Sequence, residues 1–456
     1  MKKCGIGGKL LDWFENYLQE RLQRVVINGQ FSLWELIKAG VPQGSVLGPL
    51  LFLLYIDDLV ETVEHCGIRL FADDTCLFIE VGDRDETAAL INSDLNRIYE
   101  WSKKWIVSFA PTKTNSLIVS NKRDSHLNPP VFLNHHPVQE VSYQKYLGLT
   151  FTNNLRWNRH IDETASKAQR KLNAMLPLKF KLDRKSLEVM YNSFVLPTME
   201  YAIVVWGGTF DSDILKLEKI HINAMRLVTG ATSKSNIANL YSDTGWSTFN
   251  QRKEQSILAM FYKIKNGQSP EYLQNLLPPD NQDKSTYNLR NKQDVSIPFA
   301  RLETYKRSFF SNAIRLWNSL PICIRSCQSI TEFKTALQHK PDDITVLYYY
   351  RERWAQIHHA RLRTGCSKLN ADLCFNLHVR NDPTCACGHL CENAAHFLFN
   401  CPNYAQIRNN MIQKISAITT VSLDTILYGN RHLSQNANYA IFDAVHEYTK
   451  DSNRFS

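Results

Sequence analysis

Apolar residues Leu10, Leu11, Phe14 and Leu18 recur at the spacing of one helical face in LLDWFENYLQERLQ. RVVING and WELIKAG then read as the arms of a short hairpin around Asn28-Gly29, the dipeptide best able to adopt the positive φ angles of a two-residue turn. GVPQGSVLGPLLFLLYIDDLVETV is a Gly- and Pro-punctuated loop that runs into an apolar helix, with Ser45 placed to cap it. IRLFADDTCLFIEV has two apolar, strand-like halves that meet at Asp73-Asp74 and predicts a β-hairpin whose tight turn holds the two acids. ETAALINSDLNRIYEWSKKWIV carries an amphipathic helical pattern, and SLIVS and YLGLTFT are strand-like.

From about Asn153 the pattern changes to a basic, helical block: HIDETASKAQRKLNAMLPLKF, RKSLEVMYNSFVLPTMEYAIVVW and DILKLEKIHINAMRLVTG. The stretch LLPPDNQDKSTYNLRNKQD predicts a boundary or link near residues 277–295. YKRSFFSNAIRLWNSLPICI is a further helical segment, and the part from about Pro341 carries a crowd of cysteines. Mixed elements first and helices afterwards make the fold class α+β. No fixed-period repeat or low-complexity tract is visible.

Composition adds a partner to this outline. The 456 residues carry a formal charge of +9, which suggests an anionic partner, nucleic acid foremost. A content of 44% hydrophobic and 21% charged residues is that of a globular chain with room for several cores. MKKCGIGGKLLDWF lacks the apolar core of a signal peptide, and the longest apolar run, 47–56, is about half the length that spans a bilayer. The chain is therefore expected to be unsecreted and to need no membrane. Eleven cysteines, four of them close together, read as a metal site rather than a disulfide framework in a reducing compartment.

Two adjacent acid pairs need separate readings. Asp57-Asp58 follow an apolar helix, where consecutive residues point about 100° apart and the exposed carbonyls disfavour negative charge. A solvated helix terminus is the expected arrangement there. Asp73-Asp74 lie between apolar strand halves, so a rigid turn would present their oxygens together beside the small Ala72. An ordinary Asp-rich turn accounts for that pair equally well on these residues alone.

GVPQGSVLGPLLFLLYIDDL followed by FADDT resembles motifs B and C of reverse transcriptases, those of non-LTR (LINE-type, jockey-like) retrotransposons in particular. The resemblance continues through Lys113-Thr114, similar to motif D, and YQKYLGLTFT, similar to motif E. It implies a partial right-hand polymerase palm over 1–152, a helical thumb over 153–235, a helical connector over 236–340 and a small C-terminal zinc-knuckle domain over 341–456. It implies an RNA-directed DNA polymerase that moves a nucleotidyl group from a dNTP to a primer 3′-hydroxyl at two Mg²⁺ ions. Asp73 and Asp74 would hold the metal, Gln43 and Gly44 would meet template and nucleotide, and Lys113 would lie near the triphosphate. RNA template, DNA primer or target and dNTPs are the implied partners. A ribonucleoprotein in nucleus or cytoplasm is the implied location. Lys113 also suits an ordinary solvated charge.

One departure from the family pattern matters. The further Asp of motif A has no counterpart, because only Asp12 lies upstream of Gly40 and it sits in a helical pattern. GIGGKLLDWFENYLQERLQRVVING matches the segment just after that motif, so the chain reads as N-terminally truncated. It is expected to be inactive, or nearly so, on its own. The alternative is a non-catalytic relic or co-opted fragment that binds nucleic acid.

CACGHLCENAAHFLFNCP places Cys385, Cys387, His396 and Cys401 at zinc-ligand spacing, a closed set suited to a structural Zn²⁺. Gly388 allows the tight turn after the paired cysteines, Cys391 is the rival ligand, and Cys374 reads as a packed thiol. The set is similar to the C-terminal zinc knuckle of non-LTR elements. RERWAQIHHARLRTG, basic and aromatic, suits either nucleic-acid contact or a packed amphipathic helix. The basic stretch 167–185 is expected to form a helix that contacts primer–template phosphates.

Overall fold

The computed structural model describes residues 5–37, 40–41, 44–120, 128–279, 294–338 and 343–455. They divide into two compact units, 1–144 with 152–154 and 145–151 with 155–456, so the division falls inside the stretch YQKYLGLTFT.

The first unit begins with helix α1 (Lys9–Leu18), of which Phe14 is the buried residue. The pairs Val26–Ile27 and Gln30–Phe31 then close across Asn28 (φ 49°) and Gly29 (φ 78°), with Leu22–Gln23 pairing Glu35–Leu36 outside them. This is the anticipated hairpin. Helix α2 (Gly48–Ile56) carries Pro49 in its first turn, with Ser45 Oγ accepting from the Gly48 N–H at 2.9 Å, as its position suggested. The chain then tightens into a 3₁₀ turn, Asp57–Thr62, rather than ending in solvent. Asp58 Oδ1 accepts from the Trp101 indole at 2.9 Å, so Asp57 is exposed as expected but Asp58 is half-buried; a buried tryptophan needs an acceptor.

Helix α3 (Arg84–Trp105) is capped by Asp83, whose Oδ1 accepts from the Glu86 N–H at 3.0 Å. Its buried Asp94 clasps the loop before the next hairpin, accepting from the N–H groups of Glu64 (3.1 Å), His65 (2.9 Å) and Cys66 (2.8 Å). Burial alone would raise the Asp94 pKa, but these backbone donors outweigh it and lower the value. Ile56, Leu59, Ile68, Leu95, Ile98 and Trp101 form the core that this clasp closes. Of SLIVS only Ser116 lies in a strand, Asn115–Ser116, which pairs in parallel with Gln139–Glu140.

The second unit is helical. Helices α4 (Asn158–Met175), α5 (Arg184–Met190), α6 (Asp211–Thr229), α7 (Ile237–Thr244) and α8 (Phe249–Lys265) follow in order. A core of Ile161, Leu172, Leu187, Tyr191, Trp206, Leu217 and Phe249 lies among them. Helices α9 (Phe309–Ser319) and α10 (Ile330–Leu337) pack Trp317 and Phe333 against Phe261 and Tyr262 of α8. Helices α11 (Arg353–Arg363), α12 (Ala405–Ser416), α13 (Leu423–Tyr428) and α14 (Gln435–Asp451) surround Leu369, Phe397, Ile415, Phe442 and Tyr448. The boundary anticipated near 277–295 falls mostly on 280–293, outside the described residues. Among the described residues, no helix is long and apolar enough to cross a membrane.

Two basic stretches depart from expectation. The 167–185 stretch is not one helix: α4 stops at Met175, Pro177 sits in a 3₁₀ turn, and α5 restarts behind an Asp183 cap. Arg184 is 1% exposed, so part of that charge is core rather than surface. RERWAQIHHARLRTG forms α11, in which Arg353, His358, His359 and Arg363 are all buried; the packed-helix reading holds.

One carboxylate joins these pieces. Asp243, near the end of α7, accepts from Arg184 Nη1 at 2.9 Å and from Arg363 Nε at 2.6 Å, while Arg184 Nη2 donates to its backbone carbonyl at 2.7 Å. Burial would raise its pKa, yet the two guanidinium groups hold it below the usual carboxylate range. Arg363 also lies 3.8 Å above the Tyr348 ring, and the Arg184 N–H donates to Gln356 Oε1.

Asp243→Ala strands two buried cations and is expected to lower unfolding free energy by about 3–5 kcal/mol, measured by urea denaturation. A loss under about 1 kcal/mol would contradict this role. Acid should also destabilise the fold. His221, held between the Tyr191 hydroxyl (2.6 Å) and the Ser247 carbonyl (3.0 Å), is pushed by burial to a pKa of about 4. His358 and His446 are likewise pushed to about 4, burial again the leading cause. In the unfolded chain these groups bind protons below about 6.5. The unfolded state therefore binds more protons between about 6.5 and about 4, and stability falls as pH drops through that window. Urea midpoints at pH 7.5 and pH 5 should differ in that direction; equal midpoints would refute the assignment.

Candidate functional site

The second hairpin pairs Gly67–Phe71 with Asp74–Phe78 in antiparallel register, Phe71 facing Asp74 and Gly67 facing Phe78. The two-residue turn is therefore Ala72-Asp73, with Ala72 in the left-handed region (φ 51°), and Asp74 opens the second strand. The turn was expected to contain both acids; the register shifts it by one residue. Both carboxylates are exposed at the hairpin tip. At the other end the Phe78 ring covers Gly67, where an added Cβ would stand 2.3 Å from it. That end is also the one Asp94 clasps, so the tip projects from a fixed base.

Gly44 lies on the loop entering α2, exposed and with φ 80°, and nothing stands within 4 Å of where a Cβ would be. Gln43 lies outside the described residues. Lys113 ends the 3₁₀ turn Pro111–Lys113 and is exposed.

The structure brings four distant sulfur and nitrogen ligands together. One ligand atom each from Cys385, Cys387, His396 and Cys401 lies within 4.8 Å of all the others. Cys385 and Cys387 sit on a tight turn closed by the Gly388 N–H to the Cys385 carbonyl (2.9 Å), with Gly388 at φ 90°. His396 opens a π-helical turn, His396–Asn400, in which the Cys401 N–H reaches the His396 carbonyl at 2.8 Å. That wide turn aims the ring and the thiol at one point.

The donor set fits a tetrahedral ion. Cys385 and Cys401 sulfurs stand 3.7 Å apart, against about 3.8 Å for an edge of a tetrahedron with Zn–S bonds near 2.3 Å. The same distance is too long for a disulfide. Cys387 Sγ and His396 Nε2 are 3.3 Å apart. Burial pushes the Cys385 thiol up to about 12, so thiolates gathered here need a cation. Cys391 is outside the cluster, its sulfur accepting from Asn393.

Sequence reasoning missed the supports. Buried Glu392 accepts from Arg454 through both oxygens (2.8 and 2.6 Å) and from the Asn370 N–H at 2.9 Å. Arg408 Nη1 donates to the Cys401 carbonyl at 2.5 Å, and His389 stacks on His396 with ring centroids 4.1 Å apart. No spacing rule marks such partners, since Arg454 lies 62 residues from Glu392.

The reverse transcriptase (RNA-dependent DNA polymerase) family profile matches residues 1–151. A probable RNA-directed DNA polymerase from transposon X-element of Drosophila melanogaster is 29% identical over 47% of this chain and 24% of its own length. The RNA-directed DNA polymerase from mobile element jockey of the same species is 28% identical over 48% of this chain and 25% of its own length. A Pol polyprotein from the type-1 retrotransposable element R1 2 of Nasonia vitripennis is 23% identical over 81% of this chain and 87% of its own length. The chain thus matches about a quarter of the length of the first two of these relatives. Residues 1–151 form a reverse transcriptase domain, and the chain is a LINE-type relative of the jockey, X-element and R1 retrotransposon polymerases.

Proposed function

We propose that this chain derives from an RNA-directed DNA polymerase of a non-LTR retrotransposon and acts on an RNA template, a DNA primer or target, and dNTPs. The observation that carries the reading is the 67–78 hairpin, which projects Asp73 and Asp74 from a clasped base within the matched domain. Asp73 and Asp74 are the proposed metal ligands, hard oxygen donors suited to Mg²⁺. Bound there, Mg²⁺ would supply charge neutralisation for nucleotidyl transfer to the primer 3′-hydroxyl. Gly44, with open space beside its backbone, and Gln43 are proposed to meet template and nucleotide, and Lys113 the triphosphate. The palm is assigned to 1–152, the thumb to 153–235, the connector to 236–340 and the zinc-knuckle domain to 341–456. A nuclear or cytoplasmic ribonucleoprotein is the corresponding location.

Two exposed carboxylates do not complete a two-ion site. Among the described residues, the group of three or more candidate ligands is the Cys/His set, not an acidic one. We therefore propose that this chain alone synthesises little or no DNA, and the same observation favours a second reading as a non-catalytic nucleic-acid-binding fragment. Primer extension on an RNA template with Mg²⁺ should give background incorporation. Robust Mg²⁺-dependent synthesis would contradict incompleteness.

Cys385, Cys387, His396 and Cys401 are the proposed ligands of one structural Zn²⁺, which would crosslink the 385–401 segment to its domain. Elemental analysis of natively purified protein should give about one zinc per chain, and His396→Ala or a strong chelator should lower the melting temperature. Zinc content near zero would end the proposal.

A further inference from the structure

The end of helix α6 gathers an unusual number of cations from separate parts of the second unit. Arg353 donates to the Leu227 carbonyl (2.9 Å), the Val228 carbonyl (2.6 Å) and the Lys179 carbonyl (2.9 Å). Arg361 Nε donates to the Gly230 carbonyl at 3.0 Å, and Lys179 Nζ to the Ala231 carbonyl at 3.0 Å. Arg226 belongs to the same last turn and reaches Asn223 Oδ1 at 3.0 Å. Three cations thus donate to carbonyls among residues 227–231, and a fourth, Arg226, stands on the same last turn.

Capping explains part of this. A helix C-terminus carries about half a negative charge, so it balances only a fraction of four cations. Asp183 lies near enough to Arg353 to favour its charged form, but it also caps α5 through Ser186. Among the described residues none of the four cations forms an ion pair with a carboxylate, and buried Arg226 Nε has no acceptor. Burial first, and then the nearby Arg361, Arg353 and Arg226, together lower the Lys179 ammonium to about 8. Like charges held this close call for an anion from outside the chain. Beside them stands Phe180, 64% exposed, with Lys179 Nζ 5.5 Å from its ring centroid. An unshielded aromatic next to a cationic cluster is the arrangement that holds an unpaired nucleotide, its phosphate on the charges and its base on the ring.

We infer that Lys179, Phe180, Arg226 and Arg361 form a binding site for single-stranded nucleic acid, a backbone phosphate at the end of α6 and a base stacked on Phe180. Arg353, with its donors spent on three carbonyls, is a positioning residue that fixes the Lys179 turn to α6. The inference rests on the nucleic-acid reading above and gives it a place in the second unit.

The test is fluorescence anisotropy of a labelled single-stranded RNA twelve-mer against the full chain, from 50 to 300 mM salt. Arg226→Gln should weaken binding and reduce the slope of log affinity against log salt by about 0.7, one phosphate contact on a single strand. Arg226→Lys should restore the slope. Phe180→Ala should cost about tenfold in affinity at every salt with the slope unchanged. The charge-matched control Lys334→Gln, on an exposed face of α10, should change neither. Melting temperatures establish that each variant is folded. If wild type binds RNA and Arg226→Gln and Phe180→Ala match it, this site is refuted while nucleic-acid binding stands. If wild type binds no RNA, nucleic acid is overturned as the occupant. If in that case tripolyphosphate still raises the melting temperature of wild type and not of Arg226→Gln, the occupant is a free polyphosphate instead.

Discussion

The buried carboxylate of Asp243, gripped by Arg184 and Arg363 at 2.9 and 2.6 Å, ties together chain segments 59 and 120 residues apart. Taking three charges out of water is expensive, and the arrangement is tolerable only because nearly every donor and acceptor finds a partner. Its consequence is geometric. It fixes α11 against α5 and α7, and α11 in turn delivers Arg353 and Arg361 to the end of α6. The cationic site therefore exists because a salt-bridged core puts it there, not because one helix is rich in lysine.

The first unit solves a similar problem with one carboxylate that backbone N–H groups hold at 2.8–3.1 Å, its one cation, Arg97, standing farther off at 3.4 Å. Asp94 satisfies three successive N–H groups at the entrance of the 67–78 hairpin, a loop that would otherwise carry unpaired donors in a partly buried place. The hairpin tip, where Asp73 and Asp74 stand exposed, is held from its far end. In the Cys/His region Glu392 plays the corresponding part, joining Asn370 and Arg454 behind the thiols. Buried acids organise the molecule; the exposed acids and cations are left for chemistry and contact.

Local rules read much of this from the sequence. Asn28-Gly29 required a turn, Ser45 found the α2 N-terminus, and the Cys-x-Cys and His-x₄-Cys spacings brought four ligands together across a glycine turn and a π turn. What escaped depends on partners far along the chain. Nothing near Arg184 or in RERWAQIHHARLRTG distinguishes a buried guanidinium from a solvated one, because Asp243 and the α6 carbonyls are supplied from elsewhere. Asp58 looked like a solvated helix end until Trp101, 43 residues on, proved to need its oxygen. The formal charge of +9 also overstates the free basic surface, since Arg184, Arg353 and Arg363 are consumed inside the fold. The one-residue shift of the second turn has a simpler cause: apolar alternation marks the strands but leaves the closing pair, Phe71 with Asp74, undecided.

Nucleic acid is thus proposed to meet this chain at two places, the 67–78 hairpin and the Phe180 site. Photocrosslinking of an RNA template bearing 4-thiouridine, annealed to a shorter DNA primer and followed by peptide mapping, tests it most directly. Crosslinked peptides that contain Phe180 and peptides that contain the hairpin tip are expected, both lost when unlabelled hybrid competes. Crosslinks confined to other segments, with neither place labelled, would contradict it.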